Sequence, residues 1–94
     1  MMKHALFALI LLALAAPAQA DCYADYKAKQ DNPLRLHYGV AQVPDGACSK
    51  GAASAALAPR LAAGGWTLLN IVSVFGPEGL QAKKASAGAY FLRY

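Results

Sequence analysis

Few residues of this chain have side chains suited to chemistry, and His37 is the first candidate. An imidazole titrates near neutral pH, so His37 could serve as a general base if a carboxylate such as Asp31 or Asp45 lay beside it. That arrangement would suit a small hydrolase. No recognisable motif brings a nucleophile or a carboxylate to His37, so a histidine on the polar side of a strand is the favoured interpretation.

Cys22 and Cys48 are the second candidates, as a redox centre, a metal site or a disulfide. The pair lacks Cys-x-x-Cys spacing, and after position 20 only His37 could complete a ligand set. Two cysteines in an oxidising compartment admit one pairing. The sequence therefore predicts a structural Cys22–Cys48 disulfide, no cofactor and no metal.

The start of the chain is typical of a secretory signal peptide. A short positive end containing Lys3 precedes the apolar run 5–16, and small residues at Ala18 and Ala20 match a cleavage site. The run supplies about 12 apolar residues, whereas a spanning helix needs about 20. We expect cleavage of residues 1–20, export to the periplasm or beyond, and one small domain over 21–94 without a stable membrane anchor.

Removal of the signal leaves eight Lys and Arg against five Asp and Glu, a net charge of +3. Nucleic-acid binding requires a dense basic stripe with interleaved aromatic residues, whereas these positive residues are scattered. Only Lys83 and Lys84 form a local pair. Together with Tyr23 and Tyr26, they are candidate contacts for an envelope partner, since tyrosine is favoured at interfaces. The two tyrosines could instead pack the first element onto the sheet.

The first half of the domain contains a predicted helix and a predicted strand. Residues 21–32 have a cap at Asp21, a Cys22/Tyr26 spacing of four and an end before Pro33, which together favour a short helix. Residues 34–43 alternate, with Leu36 on the predicted core side and His37 on the polar side. This pattern predicts a half-buried strand.

The second half contains a helix and two strands. Alanine-rich residues 49–63 favour a helix capped by Ser49, which Pro59 should kink or split. Residues 66–75 are rich in branched and aromatic side chains and predict a strand, as do residues 90–94. The segment 76–88 between them is predicted to be a loop.

The rules for connecting strands and helices predict an α+β fold for these elements. Two strands that are joined by a crossover helix run in the same direction, so a third strand placed between them is antiparallel to both neighbours. We predict a three-stranded antiparallel sheet in the order 1-3-2, with residues 90–94 at its centre. One crossover helix lies on one face, and a short N-terminal helix docks on the sheet.

Three segments resemble a small bacterial domain family of unknown function: Gly64-Gly65-Trp66-Thr67-Leu68-Leu69, Val72-Ser73-Val74, and Tyr90-Phe91-Leu92-Arg93. In that family Gly-Trp opens a strand and an aromatic-Leu-Lys/Arg ending closes the sheet. The chain after position 20 is also similar to small exported proteins of Gram-negative bacteria. The resemblance implies a strand-helix-strand-strand core and carries no activity.

Function is therefore weighed among three classes. The favoured interpretation is a non-enzymatic binding or regulatory module for an envelope protein, because nucleophile elbows, carboxylate pairs and nucleotide fingerprints are missing from the sequence. The alternatives are a small envelope hydrolase using His37 and a structural protein that self-associates through the predicted edge strand 34–43.

Overall fold

The computed structural model describes residues 21–94, so the predicted signal peptide lies outside the described residues. The described part is α+β, as predicted, and contains a three-stranded antiparallel sheet with helices. Its strands are β1 (Cys22–Gln30), β2 (Arg35–Val43) and β3 (Thr67–Phe75), and its helices are α1 (Lys50–Ala63) and α2 (Leu80–Ala87).

The short N-terminal helix predicted over 21–32 is wrong, because this segment forms β1 at the centre of the sheet. The strand order is β2-β1-β3, and β1 is antiparallel to both neighbours. Cys22 and Tyr26 are four apart, which fits one face of a helix, but it fits one face of a strand equally well. Ala24 and Ala28 share that strand face and are fully buried. Hydrogen bonding along both edges of β1 outweighs the local preference for a helix.

The C-terminal segment 90–94, predicted to be the central strand, is a tail along the outer edge of β2. Phe91 forms one isolated parallel bridge with Val40, and the amide of Leu92 donates to the carbonyl of Val40 at 2.8 Å. Since β1 already occupies the centre of the sheet, the tail can reach only an edge. The two predicted strands at 34–43 and 66–75 are present as the outer strands.

The face of β2 that joins the main core is the opposite of the predicted one, although Val40 on the predicted side is also fully buried. His37, Gly39 and Ala41 are buried on the face that carries Tyr26 of β1, whereas Leu36 is exposed. Small residues at 39 and 41 allow close approach, which larger side chains would prevent. The face of β2 that carries most of its large apolar side chains is therefore not the face that is buried in the main core.

Helix α1 follows β2 and continues unbroken through Pro59. The side chain of Ser49 accepts a hydrogen bond from the amide of Ala52, which is the expected N-terminal cap. The buried residues of α1 pack into the same core as β1, and they are Ala53, Leu57 and Leu61. Pro59 lies on the exposed side. The helix is a single element rather than two pieces.

The predicted disulfide between Cys22 and Cys48 is present and joins the start of β1 to the segment just before α1.

The segment 76–88, predicted to be a loop, instead contains a short 3-10 turn and α2. Helix α2 packs mainly against β2 and brings Lys83 over the sheet.

Candidate functional site

His37, the candidate base, lies inside a cluster of aromatic rings. Its ring stacks on that of Tyr90 at a centroid distance of 3.8 Å and meets the edge of Trp66 at 4.3 Å. The hydroxyl of Tyr26 lies 3.0 Å from Nε2 of His37, within hydrogen-bonding distance. Three separate segments thus supply the surroundings of His37, which is only 8% exposed.

This environment favours neutral groups. Burial lowers the pKa of His37, and Nδ1 is buried with no hydrogen-bond partner within residues 21–94. Burial is also the main reason why the pKa of Tyr26 rises to about 12. Asp31 pairs with Lys29 at 3.0 Å, and Asp45 lies exposed in a turn. The carboxylates proposed as partners of His37 are thus placed elsewhere.

Gly39 makes room for the Tyr26 side chain in this cluster. A Cβ atom at position 39 would lie 2.5 Å from the Tyr26 hydroxyl oxygen and 2.7 Å from its ring carbon Cζ. Such contacts are far inside van der Waals distance. The Tyr26 ring can therefore cross β2 only where that strand has no side chain.

A polar cluster, separate from the aromatic cluster around His37, surrounds Asp25, which is 1% exposed. Its carboxylate accepts hydrogen bonds from Ser73 Oγ at 2.6 Å and the Tyr38 hydroxyl at 2.7 Å, and Lys83 Nζ lies 3.1 Å away. Burial alone would raise the pKa of Asp25, but these donors together hold it below its ordinary value. The pKa of Tyr38 is raised by burial and by the adjacent carboxylate. Because donors occupy both carboxylate oxygens, this cluster suits a structural role.

Of the four residues expected to contact a partner, Tyr23 and Lys83 lie against the same ring, that of Phe75, whereas Tyr26 and Lys84 do not. Tyr26 is fully buried, and Lys83 pairs with Asp25 while its Nζ lies 5.1 Å from the Phe75 ring centroid. The Nζ of Lys84 lies 5.9 Å from the centroid of the Phe91 ring. Tyr23 stacks on Phe75 and also borders a cleft.

This cleft, of about 350 Å³, lies between the end of β2, helix α1 and the C-terminal tail. We call it the Arg60 cleft, and its lining consists of Tyr23, Ala41, Gln42, Arg60, Leu92, Arg93 and Tyr94. Arg60 donates from Nε to the Tyr94 hydroxyl at 2.6 Å and from Nη2 to the Gln42 carbonyl at 3.0 Å. Two arginines thus line one cleft whose lining contains no Asp or Glu, and neither arginine forms an ion pair within residues 21–94.

Sequence reasoning identified Tyr23 but missed the two arginines. Arg60 and Arg93 are far apart in the chain, and neither belongs to a motif. Only the position of the tail at the edge of β2 brings Arg93 to the cleft that Arg60 also lines. The signal available in the sequence was weak: an arginine in the last turn of a predicted helix and another beside the final tyrosine.

Comparisons with protein families, curated proteins and solved structures gave no match to this chain. The resemblance to a small bacterial domain family stays a prediction. Within residues 21–94, no three or more His, Cys, Asp or Glu side chains are grouped to hold a metal ion. In the same range, no helix has both the length and the apolar character needed to cross a membrane.

Proposed function

We propose that residues 21–94 are an exported, non-enzymatic binding module that holds an acidic group of an envelope partner in the Arg60 cleft. The observation that carries this proposal is that two arginines line one cleft that has no Asp or Glu in its lining, and that neither arginine forms an ion pair within residues 21–94. Guanidinium groups favour carboxylates, since their planar array of donors matches two carboxylate oxygens. The chemistry of the cleft therefore points to a carboxylate on the partner.

Arg60 is held in place for this role. Its hydrogen bonds to Tyr94 and Gln42 use Nε and Nη2, and neither of them uses Nη1. The guanidinium carbon also lies 5.5 Å from the centroid of the Tyr94 ring. A side chain that is fixed before binding loses less conformational entropy when the ligand arrives. Tyr23 and Tyr94 add aromatic walls of the kind that is favoured at protein interfaces.

The placement of the buried titratable groups supports a role without catalysis. Neither His37 nor Asp25 lines the Arg60 cleft. His37 is enclosed by aromatic rings, and Asp25 is occupied by Ser73, Tyr38 and Lys83. The hydrolase alternative requires a base that can reach substrate, and this packing disfavours one at His37.

Self-association through β2 is less favoured than partner binding. The edge of β2 is covered at Val40 by the tail, and the carbonyl of Gln42 accepts from Arg60. Both contacts occupy edge groups that a second strand would need. The disulfide supports export, because such bonds persist in oxidising compartments.

Site-specific photocrosslinking of the exported protein in intact envelopes tests the proposal. A photoreactive residue at Leu92, inside the cleft, should capture a partner, whereas one at exposed Ala85 on α2 should not. Arg93→Gln should abolish the capture, because it removes one guanidinium without touching the core. Lys50→Gln, which removes an exposed positive charge at the start of α1, should leave it unchanged. Capture that is equal in the Arg93→Gln and unsubstituted proteins would rule out recognition through the cleft.

A further inference from the structure

The backbone of Gln42 adds a hydrogen-bond donor to the Arg60 cleft. The carbonyl of Val40 accepts from the amide of Leu92, and the carbonyl of Gln42 accepts from Arg60. Both residues therefore turn their backbone groups toward the outer edge of β2. The amide and the carbonyl of a strand residue point to the same side, so the amide of Gln42 also faces this edge. Gln42 is exposed, and within the described residues no backbone carbonyl of the tail accepts from its amide.

The C-terminal tail closes one end of the cleft. Phe91 pairs with Val40, and Leu92 donates to the carbonyl of the same residue. Leu92 has a φ of 60°, a left-handed conformation, so the extended pairing of the tail with β2 ends after this single bridge. A ligand chain that pairs with the edge of β2 at Gln42 therefore cannot continue past Val40.

A ligand chain that stops at the tail presents one of its own ends there. The strand β2 runs from Arg35 to Val43. A ligand strand antiparallel to β2 would reach the tail with its C-terminus, whereas a parallel one would reach it with its N-terminus. The first end is a carboxylate and the second is an ammonium group. Arg60 and Arg93 line the cleft and favour the carboxylate.

We propose that the acidic group held in the Arg60 cleft is the C-terminal carboxylate of a partner polypeptide. The carboxylate accepts hydrogen bonds from the Gln42 amide and from the guanidinium groups, which combines strand pairing with capture of a chain end. An internal Asp or Glu whose backbone paired with Gln42 would place further residues where the tail already lies. This inference rests on the proposed function, because both assign the binding to Arg60 and Arg93.

Three pools of random hexapeptides, labelled at the N-terminus, test the proposal on the immobilised, oxidised protein. The random positions exclude Asp and Glu. The first pool ends in a free carboxylate and the second in an amide. The third also ends in an amide but carries one central glutamate, so its charge equals that of the first. The first pool should be retained about tenfold or more over the other two, because hydrogen bonds to a charged group add at least this much affinity.

Variants of the cleft locate the binding. Arg93→Gln should abolish the preference for the first pool, and Lys50→Gln should keep it. Gln42→Pro removes the amide hydrogen at a strand edge, where proline is tolerated, and should lower retention of the first pool about tenfold. Gln42→Ala keeps the amide and should bind as the unsubstituted protein does. Circular dichroism establishes that each variant is folded, and if Gln42→Pro is not, Arg93→Gln decides.

The outcomes separate this inference from the proposed function. Equal retention of the first and third pools would overturn the inference and leave carboxylate binding in the Arg60 cleft intact. Equal retention of the first and second pools, or retention of neither, would also overturn it, while photocrosslinking at Leu92 decides the proposed function independently. Retention of the first pool that Arg93→Gln does not change would overturn both.

Discussion

The ammonium group of Lys83 on α2 lies 3.1 Å from Oδ2 of Asp25 on β1, the central strand. The same carboxylate accepts hydrogen bonds from Tyr38 on β2 and from Ser73 on β3. One buried side chain therefore connects all three strands and the second helix. Ala87 is the one buried residue of α2, so this helix depends heavily on its polar contact with the sheet.

Replacing Lys83 with methionine should destabilise the fold by about 2 kcal/mol, because a buried carboxylate loses a charged donor. Lys84→Met is the matched control, since Lys84 forms no ion pair within residues 21–94. It should change the unfolding free energy by less than about 0.5 kcal/mol. Urea unfolding followed by circular dichroism measures both values, and equal losses would contradict the role assigned to the Asp25 pair.

Acid should weaken the fold through Asp25. Its pKa is lower in the folded protein than the ordinary 3.8, so the folded state holds the proton less tightly than the unfolded state. The stability contributed by the carboxylate is complete above about pH 5 and is lost as pH falls through the folded pKa. Asp25→Asn should be less stable at pH 6 and should flatten the decline below pH 4. Thermal unfolding across pH 2–6 tests this, and parallel curves for both proteins would exclude Asp25 as the source.

His37 should produce a separate loss of stability nearer neutral pH. Its folded pKa lies below the ordinary 6.5, so stability is complete above pH 6.5 and declines as pH falls toward the folded value. His37→Phe should abolish the slope between pH 7 and pH 5, although it also leaves the Tyr26 hydroxyl without its partner. The His37 ring is 4.3 Å from that of Trp66, the one tryptophan in the chain, so Trp66 fluorescence should report the titration. A midpoint at or above pH 6.5 would contradict this assignment.

Removing the disulfide with Cys22→Ser and Cys48→Ser should cost about 3 to 4 kcal/mol by the chain-entropy estimate. The cysteines are 26 positions apart, so the bond restricts a substantial loop of the unfolded chain. Chemical unfolding of the variant and of the oxidised protein provides the comparison. A difference below about 1 kcal/mol would mean that the bond adds little to the fold.

Gly39→Ala should destabilise the fold by about 1 to 3 kcal/mol through overpacking against Tyr26. The predicted Cβ position lies 2.5 Å from the tyrosine oxygen, and β2 and β1 are paired at this point. Gly51→Ala in α1 is the control of opposite sign, because no atom lies within 4 Å of the added methyl group. It should stabilise the helix by about 0.5 kcal/mol. If Gly39→Ala and Gly51→Ala had the same unfolding free energy, the close contact between Tyr26 and Gly39 would be contradicted.

Local signals in the sequence identified the elements whose chemistry is unambiguous. The capping hydroxyl of Ser49 predicted the start of α1, and the branched residues of 66–75 predicted β3. The cysteine pair predicted the disulfide. The segment 21–32 has no such local signal, because a spacing of four fits a helix and a strand equally, and pairing partners distant in sequence decide between them.

The sequence by itself determined that this chain has a small α+β domain with a cysteine pair. Composition and turn residues are local properties of the chain, and two cysteines can pair in only one way. Tertiary structure alone decided which segment lies at the centre of the sheet, which face of β2 is buried, and that Arg60 and Arg93 share a cleft. Those outcomes depend on contacts between segments far apart in the chain, whose free energies compete and cannot be assigned to any one segment. The exposure of Leu36 and the burial of His37 follow from the same competition, because Gly39 lets the Tyr26 ring close over one face of β2.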